Sequence, residues 1–365
     1  MGEDTLITCD ITEVDQAYSI KLSDLVSSFE IVKLDDQDDA LIREKRLVEV
    51  SDHYIGIIGE PGYKLFDRQG NYLCDVGAEG QGPGEYDAIC DVQIDEANDR
   101  IYLLAFQTKN ILAYNLKGEY LFSIPLCCKE LPKGQINVET EKGIVTVVAL
   151  PFSNYNLHTV WKQDFDGNLI EGVALPHLEV HLDFSNEIQG NMPVRDSLSS
   201  FYISRSVTAQ DTLYQYNAVS NEIKPKFTPI LPLNGNQNVP FHNYMEYPTF
   251  YVVEIKEKVM KGADYTGATT GKIIIDKKTL KGGYFDLLVD QVGGIPYKQY
   301  FAFSRHGYFI MNIEPGNLED EIKSTLKHQK ALTEEDKKKL NAFLEEVSSA
   351  DQTNNYLFLG KWKTR

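Results

Sequence analysis

The chain has 365 residues, 42 % of them hydrophobic and 25 % charged, an ordinary balance that allows a sizeable core. Thirty-six Lys and Arg stand against 54 Asp and Glu, a net charge of −18 that repels phosphate backbones and anionic headgroups, which excludes nucleic acid and direct membrane adsorption. No stretch reaches the roughly 20 apolar residues of a membrane helix.

The first residues, Met1-Gly2 before the polar Glu3-Asp4-Thr5, read as a leader joined to a trimmed mature chain, and residues 1–24 as an N-terminal extension. Phe29–Leu34 follows as an extended strand, then Leu47–Val50 and Tyr54–Ile58. A turn comes next, Asp67-Arg68-Gln69-Gly70, between two apolar strand ends. The same grammar returns at Asn115–Gly118 and Asp164–Gly167, always with Asp or Asn three residues before Gly. The Asx side chain bonds the turn backbone and Gly accepts a positive φ, the chemistry of a tight hairpin.

Looser copies begin at Asn217, with Asn221 in the Gly role, and at Asp276, with a longer turn ending at Gly282-Gly283. The steps between these five turns are 48, 49, 53 and 59 residues, the length of one four-stranded propeller blade. Strand-like runs at Ile101–Ala105, Gly143–Ala149, Phe201–Val207 and Phe250–Ile255 fit between them. A sixth set, Tyr300–Phe303, Tyr308–Ile313 and Tyr356–Trp362, leaves Phe29–Leu34 to complete the last blade. The expected fold is therefore all-β: a six-bladed β-propeller over residues 25–365. Leu318–Gln329 and Thr333–Ser349 read as a helical insertion in the last blade, about 318–349. Thr333 and Asp336 form a capping box there, and Leu340, Phe343, Leu344 and Val347 share one face.

The run Gly80-Gln81-Gly82-Pro83-Gly84-Glu85-Tyr86 resembles a segment of the six-bladed propeller family abundant in Bacteroidetes, which is distantly similar to NHL-repeat propellers. The opening Phe29–Leu34 strand, the Asp-x-x-Gly hairpins and the closing Asn355–Lys363 run extend the resemblance over nearly the whole chain. It implies an exported protein, periplasmic or held at the outer membrane as a lipoprotein by its native N-terminus. Related propellers span scaffolds, ligand binders, lyases and lactonases, so fold does not select an activity.

Candidate sites are few. Gly82, Pro83, Gly84, Glu85 and Tyr86 lack the Gly-Lys-Ser/Thr ending of a phosphate loop and read as a structural turn. His177, His181 and Asp183 would share one face of a strand and form a weak metal alternative. Asp164, Asp166 and Asn168 alternate like the start of a calcium loop, but the hairpin repeat already accounts for them. The five cysteines, Cys9, Cys74, Cys90, Cys127 and Cys128, have neither the even count of a disulfide framework nor Cys-x-x-Cys spacing. No cofactor is expected.

His242, Tyr244, Glu246, Tyr247, Tyr297, Tyr300, Arg305 and His306 fall in loops or strand ends of blades five and six, where a channel mouth would gather them. Aromatic rings stack on sugars or grip peptide backbone, so the leading expectation is a non-catalytic binding or interaction module for a glycan, a peptide or an envelope protein. The alternative is a lyase or hydrolase with a His/Arg/Tyr set in the central channel.

Overall fold

Five hairpins organise the strands, and each opens with an Asx side chain that takes the amides of its own turn. Asp67 Oδ1 accepts from Gln69 N and Asn71 N, both at 2.9 Å. Asn115 Oδ1 accepts from Lys117 N at 3.0 Å and Glu119 N at 2.9 Å. Asp164 Oδ1 accepts from Asp166 N at 3.0 Å and Asn168 N at 2.8 Å. Asn217 and Asp276 do the same at the two looser turns. Gly70, Gly118 and Gly167 have φ of +90°, +79° and +82°, and Asn221 takes the same left-handed conformation at +51°. At the longer fifth turn the positive φ falls on Leu280, at +55°.

The computed structural model describes every residue except 1–5, 12–16, 61, 129, 154, 156–157, 181–185, 192–197, 205–210, 232, 234–238, 262–263, 300–304, 350–353 and 365. The strands form the six blades of a β-propeller. Blade 1 comprises Arg43–Val50, Tyr54–Glu60, Tyr63–Asp67 and Tyr72–Asp75; blade 2 comprises Ile89–Asp95, Arg100–Ala105, Asn110–Tyr114 and Tyr120–Pro125. Blade 3 comprises Gly134–Glu139, Ile144–Ala149, Val160–Asp164 and Leu169–Val173. Blade 4 is built on Glu187–Asn191, Leu198–Ser204, Leu213–Asn217 and Glu222–Ile230. Blade 5 is built on Phe241–Glu246, Phe250–Lys261, Asp264–Asp276 and Gly282–Val289. Blade 6 joins Tyr308–Ile313, Tyr356–Trp362 and Val26–Lys33. In it the strand near the start pairs antiparallel with the strand near the end, Phe358 opposite Ile31. The expected strand Tyr300–Phe303 lies outside the described residues.

The chain divides into two compact units. One holds Met1–Glu13, Cys74–Glu246 and Tyr251–Gly271; the other holds Val14–Leu73, Tyr247–Phe250 and Lys272–Arg365. In the first unit, apolar side chains from neighbouring blades interleave: Tyr102, Leu104 and Ile111 of blade 2 meet Ile136, Val147 and Trp161 of blade 3. The inner strand of blade 3 also draws hydrogen bonds from every second side chain of blade 2. Asp91 Oδ2 accepts from Ile136 N at 2.7 Å, and Gln93 accepts from Val138 N at 2.7 Å and donates to Val138 O at 2.8 Å. Asp95 then accepts from the Thr140 hydroxyl at 2.5 Å. Buried backbone groups that no strand pairs are thereby satisfied.

The N-terminal residues contribute to the sheets. Ile7–Asp10 lies parallel to Glu222–Ile230 as a fifth strand of blade 4, in the first unit. In the second unit Ala17–Lys21 lies parallel to Gly282–Val289 of blade 5. A pair of helices, Pro315–His328 and Glu334–Ser349, interrupts blade 6 where the sequence places an insertion. Asp336 N donates to Thr333 Oγ1 at 3.1 Å and Thr333 N donates back to Asp336 Oδ2 at 3.0 Å, the expected capping box. Leu340, Phe343 and Val347 are buried, and the Phe343 ring lies edge-on to Phe358 of blade 6 at 6.0 Å.

Candidate functional site

The third blade carries a pocket of about 610 Å³, within the size range of ligand sites. Residues of the first unit build it. The loop from Ile144–Ala149 to Val160–Asp164 brings Phe152, Tyr155 and His158; the following strand brings Trp161; and Cys127 and Cys128 come from the segment after blade 2. Leu169 on the outermost strand and Glu179 beyond it also line the pocket.

Local chemistry fixes these groups. Trp161 is buried and donates its Nε1–H to Gln163 Oε1 at 3.0 Å, which turns the indole NH away from competing acceptors. Gln163, itself buried, also takes the Cys127 amide at 3.0 Å and donates to Pro125 O at 2.7 Å. Phe152 and Tyr155 meet edge to face at 6.4 Å. His158 lies across Gly172, so closely that a Cβ on Gly172 would stand 2.6 Å from its Cγ. Partial desolvation raises the Cys127 thiol above its ordinary range and burial pushes Cys128 up to about 11, so both are thiols at neutral pH. The pocket is an apolar, aromatic recess with one imidazole, one phenol, two thiols and one carboxylate. It suits a ligand group with a flat or branched apolar part and polar edges; the single acid disfavours an anion.

The sequence places none of these residues in a site. Their signal, a Phe-x-x-Tyr-x-x-His-x-x-Trp spacing through a loop, has no repeat or motif behind it. Three of the four tyrosines expected at a channel mouth, Tyr244, Tyr247 and Tyr297, are buried. Tyr244 is fully buried, stacked on His242 at 4.8 Å and tilted against Tyr202 at 4.6 Å. In the second unit Tyr247 and Tyr297 are buried in an aromatic cluster with Phe250, Phe309 and Trp362. Large aromatic area is worth more buried than presented to water. Glu246 is half-buried, and Tyr300 lies outside the described residues.

Arg305 and His306 do come together, on a residue the sequence does not flag. Glu49, buried in blade 1, stands 3.8 Å from Arg305 Nε and 3.9 Å from His306 Nε2. His177 lies in a 3-10 turn, Pro176–Leu178, and not on a strand, so four-residue spacing no longer aligns it with His181. Its Nε2 is 3.2 Å from the Tyr214 hydroxyl. His181 and Asp183 lie outside the described residues, and among the described residues no group of three His, Cys, Asp or Glu converges on one point. Glu85 Oε2 accepts from Gly82 N at 2.8 Å, so a carboxylate of the chain occupies the amide that an anion would seek in the Gly-Pro-Gly turn. Asp164 is saturated by its own turn, and the Asn168 side-chain amide is the main cause holding its carboxyl below the usual range.

A family profile described as a domain of unknown function, DUF4934, matches residues 6–359. No curated protein matches the sequence. The solved structure of an inferred exported protein from Bacteroides fragilis NCTC 9343 is similar, with a TM-score of 0.61 and 14 % identity, covering 99 % of this chain and 100 % of that one. A member of the DUF4221 family from Bacteroides vulgatus ATCC 8482 aligns with a TM-score of 0.48 and 11 % identity over 93 % of this chain and 97 % of that one. At such identity the first likeness bears on fold alone.

Proposed function

We propose, from the premise that the chain belongs to the DUF4934 family, that this protein is an exported, non-catalytic binding module that seats one group of its ligand in the blade 3 pocket. The observation that carries the reading is the aromatic recess itself: about 610 Å³ walled by Phe152, Tyr155, His158 and Trp161. Concave, mostly apolar sites with a few placed polar groups are where small ligands bury most of their area. Neutral or basic ligands, a glycan or a peptide, match the net charge of −18. Export to the periplasm, or to the outer membrane on a lipid anchor, fits the inferred export of the similar Bacteroides fragilis protein.

The catalytic reading rests on Glu49, Arg305 and His306, and burial weighs against it. Glu49 and the Arg305 side chain are 3 % and 8 % exposed, so this ion pair is closed to a substrate and serves the core.

Binding is tested by a screen of neutral oligosaccharides and short peptides, read by fluorescence of Trp161, one of two tryptophans. Gly172→Val drives a side chain into His158 and is expected to abolish the response, and Tyr155→Ala to weaken it, with circular dichroism unchanged. Ligands that bind equally well to both variants would remove the pocket from the account.

A further inference from the structure

The outermost strand of blade 3 has a sheet neighbour on one side only among the described residues, Val160–Asp164. Leu169 and Ile170 on that strand are 47 % and 52 % exposed. Such an edge presents unpaired backbone groups and apolar side chains, the template for an added strand. In blades 4 and 5 the same position is filled from within the chain. Ile7–Asp10 runs parallel to Glu222–Ile230, with Ile7 opposite Phe227, and Ala17–Lys21 runs parallel to Gly282–Val289, with Ile20 opposite Leu287. The outer edge of a blade in this protein thus takes an extended segment in the parallel sense twice over.

Blade 3 differs in having a pocket against its open edge, and Leu169 belongs to both edge and pocket. We infer that the ligand is an extended peptide that adds to Leu169–Val173 as a parallel fifth strand, with one aromatic or large aliphatic side chain seated among Tyr155, His158 and Trp161. This inference rests on the pocket reading above. Alternate side chains of an added strand point to one face, so one anchor enters the pocket while residues two away pass its rim. Glu179 stands exposed on that rim, which favours Lys or Arg there. The occupant is therefore a neutral or basic segment with an apolar anchor, the inverse of this chain's own acidic balance.

The experiment uses acetylated, amidated nonapeptides with Phe, Tyr or Leu at the centre and Lys two residues away. Titration is followed by Trp161 fluorescence in the full chain. Expected is binding that falls at least about tenfold when alternate backbone amides are N-methylated, and hardly at all when the intervening amides are. Equal binding by every N-methylated peptide, with loss in Gly172→Val, would overturn strand addition and leave the pocket standing. A glycan that binds while no peptide does has the same meaning. A concentration-dependent dimer that Ile170→Lys dissolves, without peptide binding, would give the edge to a second copy of the chain. Failure of every ligand to distinguish wild type from Gly172→Val would count against the pocket itself.

Discussion

Asn115 donates from Nδ2 to the Glu119 carboxylate at 2.7 Å, and the equivalent pair at the next turn is reversed: Asn168 donates to Asp164 at 2.9 Å. Asn71 donates to Asp67 at 2.8 Å in the turn before. Each regular hairpin therefore pairs one amide with one carboxylate four residues apart, and which end carries the charge is free. Asn115→Asp sets two carboxylates against each other and is expected to cost about 1 kcal/mol, a lost hydrogen bond plus repulsion. Adding Glu119→Asn should restore most of it. A denaturant-unfolding cycle in which the two changes are simply additive would show that the pair does not couple.

The repeat was the most legible part of the chain because its turn chemistry is local: an Asx side chain and a glycine fall within four residues, at Asp67, Asn115 and Asp164 alike. Leu280 escaped because nothing in a leucine announces a positive φ. The pocket was illegible for a different reason. Phe152, Tyr155, His158 and Cys127 meet only after two separate segments fold together, and no one of them is chemically unusual. Tyr244 and Tyr247 are ambiguous in the sequence because an aromatic ring reads the same whether it packs in a core or lines a site; the neighbours that bury it come from distant segments. Asp91, Gln93 and Asp95, by contrast, alternate in the sequence with a period of two, but the ladder they form on blade 3 follows from blade spacing and not from the pattern.

Two glycines separate the cost of backbone conformation from the cost of contact. Gly118 and Gly143 have φ of +79° and +64°, but a Cβ on Gly118 would stand 2.1 Å from the Asp75 carbonyl oxygen, whereas one on Gly143 would meet nothing within 4 Å. Gly143→Ala is expected to cost about 1 kcal/mol, the strain of the left-handed region. Gly118→Ala adds a clash with a main-chain atom fixed by the preceding blade, for a total of about 3 kcal/mol or more. Equal losses in urea unfolding would mean that the turn shifts to relieve the contact.

The cysteines should separate by exposure. Burial pushes Cys90 from the ordinary 9.0 to about 12 and Cys74 to about 11, and Cys9 is raised and buried. Cys127 is the exposed one. At pH 8 a maleimide is expected to label Cys127 first and the buried Cys9 only after unfolding, by peptide mass analysis. The raised thiols also set a sign. The folded state keeps protons that the unfolded chain releases above pH 9, so their contribution to stability is complete below 9 and declines as pH rises toward 12. Early labelling of Cys9 in folded protein would contradict its burial.

His242 gives the opposite slope on the acid side. It is buried, and its Nδ1 lies 2.6 Å from the Pro240 carbonyl oxygen, which assigns the proton to that nitrogen. The ring stacks on Tyr244 at 4.8 Å and lies 6.1 Å from Tyr202. Burial is the largest influence and lowers its pKa below the ordinary 6.5; the Pro240 hydrogen bond and the Asp211 charge oppose it without prevailing. The unfolded chain therefore takes up a proton at higher pH than the folded one does. The stability this neutral ring contributes is complete above pH 6.5 and is lost as pH falls through the lower folded value. His242→Phe keeps a flat ring in the stack and removes the titration. Unfolding free energies between pH 5 and 8 are expected to slope less in that variant than in wild type, while ligand binding at blade 3 stays unchanged. An identical slope would move the acid sensitivity elsewhere. Selective loss of binding in His242→Phe would return this histidine to the list of ligand-contacting residues from which its burial removes it.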